Sequence, residues 1–169
     1  SVRGGVFDES VTLELIPPRE GDLIRYTMDG AEPSRGSTPY RGLIELTETT
    51  VIRAVVLGAP NSHSVTHTYV IGTHHSLPVM ALAADPGHFE FTDGYLYGFG
   101  DHMFTSQGNI IGNFPYSASN AWKRDREIEA SFEFHEPDEG GTSRMNVGVK
   151  IFGGWGSRGY PQKSMALFA

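Results

Sequence analysis

The first 72 residues alternate apolar and polar positions in short bursts. Val11-Thr-Leu-Glu-Leu15 has the period of two that a half-buried strand needs. Leu23-Ile-Arg-Tyr-Thr27 repeats it, with Ile24 and Tyr26 on one face, and Asp29-Gly30 behind it is a strong turn signal. Leu43-Ile-Glu-Leu46 follows a loop of Gly, Ser, Thr and Pro. Thr50-Val-Ile-Arg-Ala-Val-Val-Leu57 is the most apolar run and reads as a central strand. Val65 to Ile71 closes the set, with His67, Tyr69 and Ile71 sharing a face, which makes Tyr26 and Tyr69 expected core residues. Short strands at this close spacing, with turn residues between them and no helical period, predict a small antiparallel sandwich of the immunoglobulin-like type.

The second half is less regular. Gly72 to Pro78 reads as a short linker, and Leu77-Pro-Val-Met-Ala-Leu-Ala-Ala84 opens a new apolar strand that Asp85-Pro86-Gly87 ends. Residues 85–121 are rich in glycines, aromatics and amides, with a short strand expected at Tyr95-Leu-Tyr97. A loop of such length points to a functional insert or a mobile segment. Alternation returns at Glu129-Ala-Ser-Phe-Glu-Phe134, and Glu136 to Gly141 is a turn. Met145 to Ile151 is a strand with Val147, Val149 and Ile151 on one face. A glycine-rich loop, Gly153 to Gly159, leads to a last strand from Gln162 to Phe168. The expected architecture is all-β in two parts: the sandwich at 1–72, then a mostly β unit at 73–169. The chain stops within an apolar strand, so that unit is expected to be truncated at its C-terminus and the whole to be a fragment of a longer protein.

Composition removes several kinds of chemistry. There are no cysteines, which excludes disulfides, thiolate metal sites and cysteine nucleophiles. Lys and Arg total 13 against 20 Asp and Glu, a formal charge of −7, which argues against a nucleic-acid partner. No apolar run approaches the ~20 residues of a membrane-spanning helix. The opening Ser1-Val-Arg-Gly-Gly5 has no signal-peptide core.

Two stretches resemble known families. Residues 7–71 resemble the β-sandwich module found at the C-terminus of chitobiases and β-hexosaminidases. The matching residues are Ile24-Arg-Tyr-Thr-Met-Asp-Gly-Ala-Glu-Pro33, Tyr40, Thr50-Val-Ile-Arg-Ala54, Ser64 and Tyr69. That module carries no catalytic residues, so the resemblance implies an accessory, spacer or binding role. Residues 77–169 resemble the N-terminal part of the CotH kinase family, in Leu77–Pro86, Asp93–Tyr97, Arg126–Phe134 and Val147–Gly154 through Ser157-Arg158 to Pro161-Gln-Lys-Ser164. This second resemblance implies an atypical protein kinase of an exported or surface bacterial protein. It places Lys163 where a kinase keeps its nucleotide-binding lysine, and it puts the catalytic and metal-binding acids beyond this chain. ATP with Mg2+ or Mn2+ is then the cofactor of the full-length parent, with none expected for the fragment, which is expected to be inactive. The competing expectation is an extracellular carbohydrate- or protein-binding spacer with no kinase role, its partner a glycan or a surface protein.

The candidate chemistry is sparse. Gly154-x-Gly156-x-x-Gly159 fits a dinucleotide fingerprint, but Pro161 and a strand follow where a helix is required. A phosphate cradle on a hairpin stays open, with Gly154 and Gly156 giving backbone access and Arg158 and Lys163 giving charge. The alternative is a tight turn that uses glycine for its backbone geometry, and the residues alone favour it. Trp155, Trp122 and Tyr97 are candidate stacking rings for a sugar, against the plainer expectation that most aromatics of this half are core. No catalytic residue is assigned. The seven histidines show no metal-ligand spacing: His63 and His67 fall too far apart along a strand to share an ion. Asp29 is expected to bond its own turn.

Overall fold

The computed structural model describes residues 2–59, 62–89, 96, 127–137, 141–153 and 162–169. Among these the chain is all-β, apart from a single 3-10 turn at Pro86–His88. The eleven strands are β1 (Gly5–Phe7), β2 (Val11–Leu13), β3 (Ile24–Thr27), β4 (Thr38–Pro39), β5 (Ile44–Leu46), β6 (Thr50–Val56), β7 (Val65–Ile71), β8 (Val79–Ala83), β9 (Ile128–His135), β10 (Thr142–Ile151) and β11 (Met165–Phe168). The strand expected at Tyr95-Leu-Tyr97 lies outside the described residues, apart from Leu96, and the other expected strands are present. Two were not anticipated: β1, which runs parallel to β7, and the two-residue β4, which pairs with β3.

The sandwich forms from β1 to β7. One sheet has the order β1-β7-β6-β3-β4, and β2 pairs with β5 in the other. The apolar run 50–57 is indeed the central strand, β6. Its register with β7 pairs Thr50 with Tyr69 and Ile52 with His67. Side chains alternate across a strand, so Ile52, Tyr69 and Ile71 face the same way. They meet Val11, Leu13, Ile44 and Leu46 of the small sheet in one core. Phe7, Tyr26 and Tyr40 pack around it, and Phe7 stacks on Tyr69 with ring centroids 6.1 Å apart. The Tyr69 hydroxyl, expected in the core, donates to the Val2 carbonyl at 2.9 Å and so ties down the start of the chain.

The remaining sheet has the order β11-β10-β9-β8. β8 and β9 are antiparallel, with Val79 opposite His135, Ala81 opposite Glu133 and Ala83 opposite Ser131. β10 and β11 are antiparallel, with Val149 opposite Leu167. Val147, Val149 and Ile151 are buried on the face that their spacing predicts. Two compact units result. One comprises Ser1–Ala83 and Ser131–Met145, the other Ala84–Ala130 and Asn146–Ala169. The first unit thus holds the sandwich, β8, most of β9 and the start of β10.

Candidate functional site

Two polar clusters in the first unit are candidates for function. The first sits on the Asp29–Pro33 turn. Gly30 has φ 82°, a left-handed conformation that only glycine adopts without strain. Asp29 Oδ1 accepts from the Ala31 N–H at 3.0 Å, and the Thr27 hydroxyl donates to the Ala31 carbonyl at 2.6 Å. Arg53 on β6 reaches across to Glu32 in an ion pair, and its Nε donates to Ser64 Oγ at 3.1 Å. Ser64 in turn donates to Glu32 at 3.2 Å. Every polar side chain of this cluster bonds another part of the same turn or its neighbouring strand. The arrangement clamps a turn and presents no convergent set of groups to a ligand.

Residues 2–68 match the family model of the chitobiase/beta-hexosaminidase C-terminal domain. The sandwich is similar to that domain. Asp29, Gly30, Arg53 and Ser64, which lie within the matched segment, are residues of the clamp. No curated protein and no solved structure matches the chain.

The second cluster surrounds Glu133. Its side chain is 1% exposed, among the most buried of the described residues. Oε2 accepts from the Thr68 backbone N–H at 2.6 Å, and Oε1 lies 3.0 Å from His67 Nδ1. Thr68 lies one residue before Tyr69, where pairing with β1 begins. The carboxylate therefore takes up a backbone donor that the short β1 leaves at the edge of β7. Gly4 makes room for it: a Cβ there would sit 2.7 Å from the Thr68 carbonyl oxygen and 3.1 Å from Glu133 Oε1. His135, 2% exposed, places Nε2 at 4.0 Å from Glu133 Oε2 and Nδ1 at 3.0 Å from Thr142 Oγ1. Arg144 donates to the Thr66 carbonyl at 2.8 Å, a further tie from β10 to the β7 edge.

The electrostatics of the cluster have opposing causes. Burial pushes the Glu133 carboxyl up, but the bonds from His67 and Thr68 favour its charged form and hold it below the usual carboxylate range. An ionised carboxylate can only accept, so the proton of this pair sits on His67 Nδ1. Burial holds His135 below the usual histidine range, with the Glu133 charge opposing that shift and His67 adding to it. Tyr69 is pushed up to about 12, chiefly by burial and then by the Glu133 charge.

His67 also lines a groove of about 500 Å³ on the sandwich, floored by Leu13, Ile24, Ile52, Ala54 and Val65. His63 lies along the same groove. A separate cleft of about 590 Å³ is lined by Asp8, His74, His75, His135 and Thr142. Among the described residues no group of three or more His, Cys, Asp or Glu is arranged to hold a metal ion. None of their helices is long and apolar enough to cross a membrane.

Of the site residues expected from sequence, Lys163 is described. It precedes β11, is half-buried, and burial holds its ammonium below the usual lysine range. Gly154, Gly156, Arg158, Trp155, Trp122 and Tyr97 lie outside the described residues. Sequence reading missed Glu133, His135 and Gly4. The available signal was parity: Ser131, Glu133 and His135 share one face of β9, and all three are buried.

Proposed function

We propose that the sandwich is a non-catalytic accessory module of an exported or cell-surface protein, and that it braces the β strands that follow it. The supporting observation is the buried Glu133 carboxylate, bonded to Thr68 and His67 of β7. A flexible spacer would not bury an ion in its contact with the next strand. Burying a carboxylate is favourable only where partners and hydrogen bonds replace its water. The family match supports a carbohydrate-associated setting for the parent protein. In this reading the module contributes rigidity rather than a sugar site, because Asp29, Arg53 and Ser64 are engaged in the turn clamp. Hydrogen exchange through a denaturant series tests the brace. Protection of 65–71 and 131–145 should disappear together; independent loss would reject it. Incubation with insoluble polysaccharides tests the competing binding role, for which depletion from solution is the positive result.

A second reading has one observation in its favour. Lys163, turned partly into the protein before β11, suits the nucleotide-binding lysine of a CotH-type kinase lobe in the full-length parent. ATP with Mg2+ or Mn2+ would then bind at a site to which Lys163 contributes its charge. Thermal melting with and without Mg-ATP tests it. Binding to the folded state raises the midpoint. A rise that Lys163→Ala abolishes supports nucleotide contact, and an unchanged midpoint counts against a site preformed in this segment.

A further inference from the structure

The Glu133 cluster combines features that a merely structural ion pair does not need. It holds a buried carboxylate together with two histidines, at the place where the 131–145 segment meets the sandwich. We propose that Glu133, His67 and His135 form an acid-sensitive clasp, which lets the 131–145 segment leave the β7 edge on acidification while the sandwich core stays folded. The proposal deepens the bracing role and rests on it.

The groups that face the clasp can be named from every side. From β7 come His67, the Thr68 N–H and Tyr69, whose hydroxyl is engaged with Val2. From β9 itself come Ser131 and His135, and from β8 the apolar Ala81. The N-terminal segment brings the Gly4 backbone. From β10 come Thr142, bonded to His135, and Arg144, bonded to the Thr66 carbonyl. Asp8, His74, His75 and Glu136 line the cleft beside His135. The cation nearest in the bonding pattern, Arg144, is spent on a backbone carbonyl. Proton uptake within the cluster is therefore borne by His135 and Glu133.

Both shifted groups act in one direction. His135 binds a proton less readily folded than unfolded, so its contribution is present at neutral pH. That contribution declines as pH falls below the ordinary histidine value of about 6.5. Glu133 is held below its unfolded value, so its contribution is complete above about 4.3 and is lost as pH falls through the folded value. The core that must survive consists of Val11, Leu13, Ile44, Leu46, Ile52, Tyr69 and Ile71, none of which titrates in the acid range.

Hydrogen exchange on the full chain, corrected for intrinsic rates, tests the clasp. Between pH 7.5 and 5, protection of 131–137 and of the Thr68 edge should fall several-fold, while β2 and β5 keep theirs. His135→Gln should flatten that fall, and Glu133→Gln should remove the further fall below pH 5. Equal protection at both pH values in the unmodified chain, or a fall shared equally by β2 and β5, overturns the clasp. The bracing role is judged separately, by whether Glu133→Gln loses protection of 131–137 at pH 7.5. The unmodified chain alone decides the pH question if a variant does not fold.

Discussion

The sandwich strands and the β8–β9 pair bury opposite kinds of face. In the sandwich, β6 and β7 turn Ile52, Tyr69 and Ile71 inward, as their apolar alternation dictates. In β9, Ser131, Glu133 and His135 are buried, whereas Phe132 and Phe134 are only half-buried. Their β8 partners Leu82 and Met80 are exposed, Met80 by 70%. In both pairs one face is the more deeply buried over most of the strand. Alternation therefore fixes that a strand has two faces, but a partner with unsatisfied backbone groups can reverse which face is buried. The Thr68 N–H at the edge of β7 is such a group, and Glu133 satisfies it.

This contrast can be broken from either side. Glu133→Ala should have the largest effect, about 3–5 kcal/mol by urea unfolding at pH 7.5, because it leaves the buried Thr68 donor and the half-buried His67 donor without an acceptor. A loss under 1 kcal/mol would mean that the polar face is incidental. Leu46→Ala, on the conventional side, should cost about 2–5 kcal/mol through the cavity left in the core. It should also leave the pH dependence of stability unchanged. Gly4→Ala should cost about 1–3 kcal/mol by overpacking against Thr68 and Glu133. Its Cβ meets backbone on one side, so an unchanged melting midpoint would show that the N-terminal segment yields. Arg53→Ala is expected to cost about 1 kcal/mol, since it opens a partly exposed clamp that water can replace. Proteolysis at the 29–33 turn should report it more sharply than global unfolding does.

Much of the sandwich was legible because its physics is local. The Asp29-Gly30 turn, the face shared by Ile24 and Tyr26, and the central position of 50–57 all follow from residue type and period. β1 was missed because the three residues Gly5-Val-Phe7 carry too little pattern, and their parallel pairing with β7 is remote in sequence. β4 was missed because Thr38-Pro39 includes a proline, which a strand accepts at the sheet edge where no donor is required. β10 starts at Thr142, three residues before the expected strand, since its first five residues are exposed and mostly polar. The candidate site was the least legible part. An acid between two phenylalanines reads as the solvent side of a strand, and only the β7 edge and the close backbone of Gly4 make it a buried one.

The most direct test is residue-resolved amide exchange of Thr68 in the full chain at pH 7.5, alone and with Glu133→Gln. A Thr68 amide that exchanges as slowly as its β6-paired neighbours, and at least about tenfold faster in the variant, is the predicted result. Exchange of Thr68 at the rate of an exposed amide in the unmodified chain would contradict the account, because the edge of β7 would then be open to water and Glu133 would not be closing it.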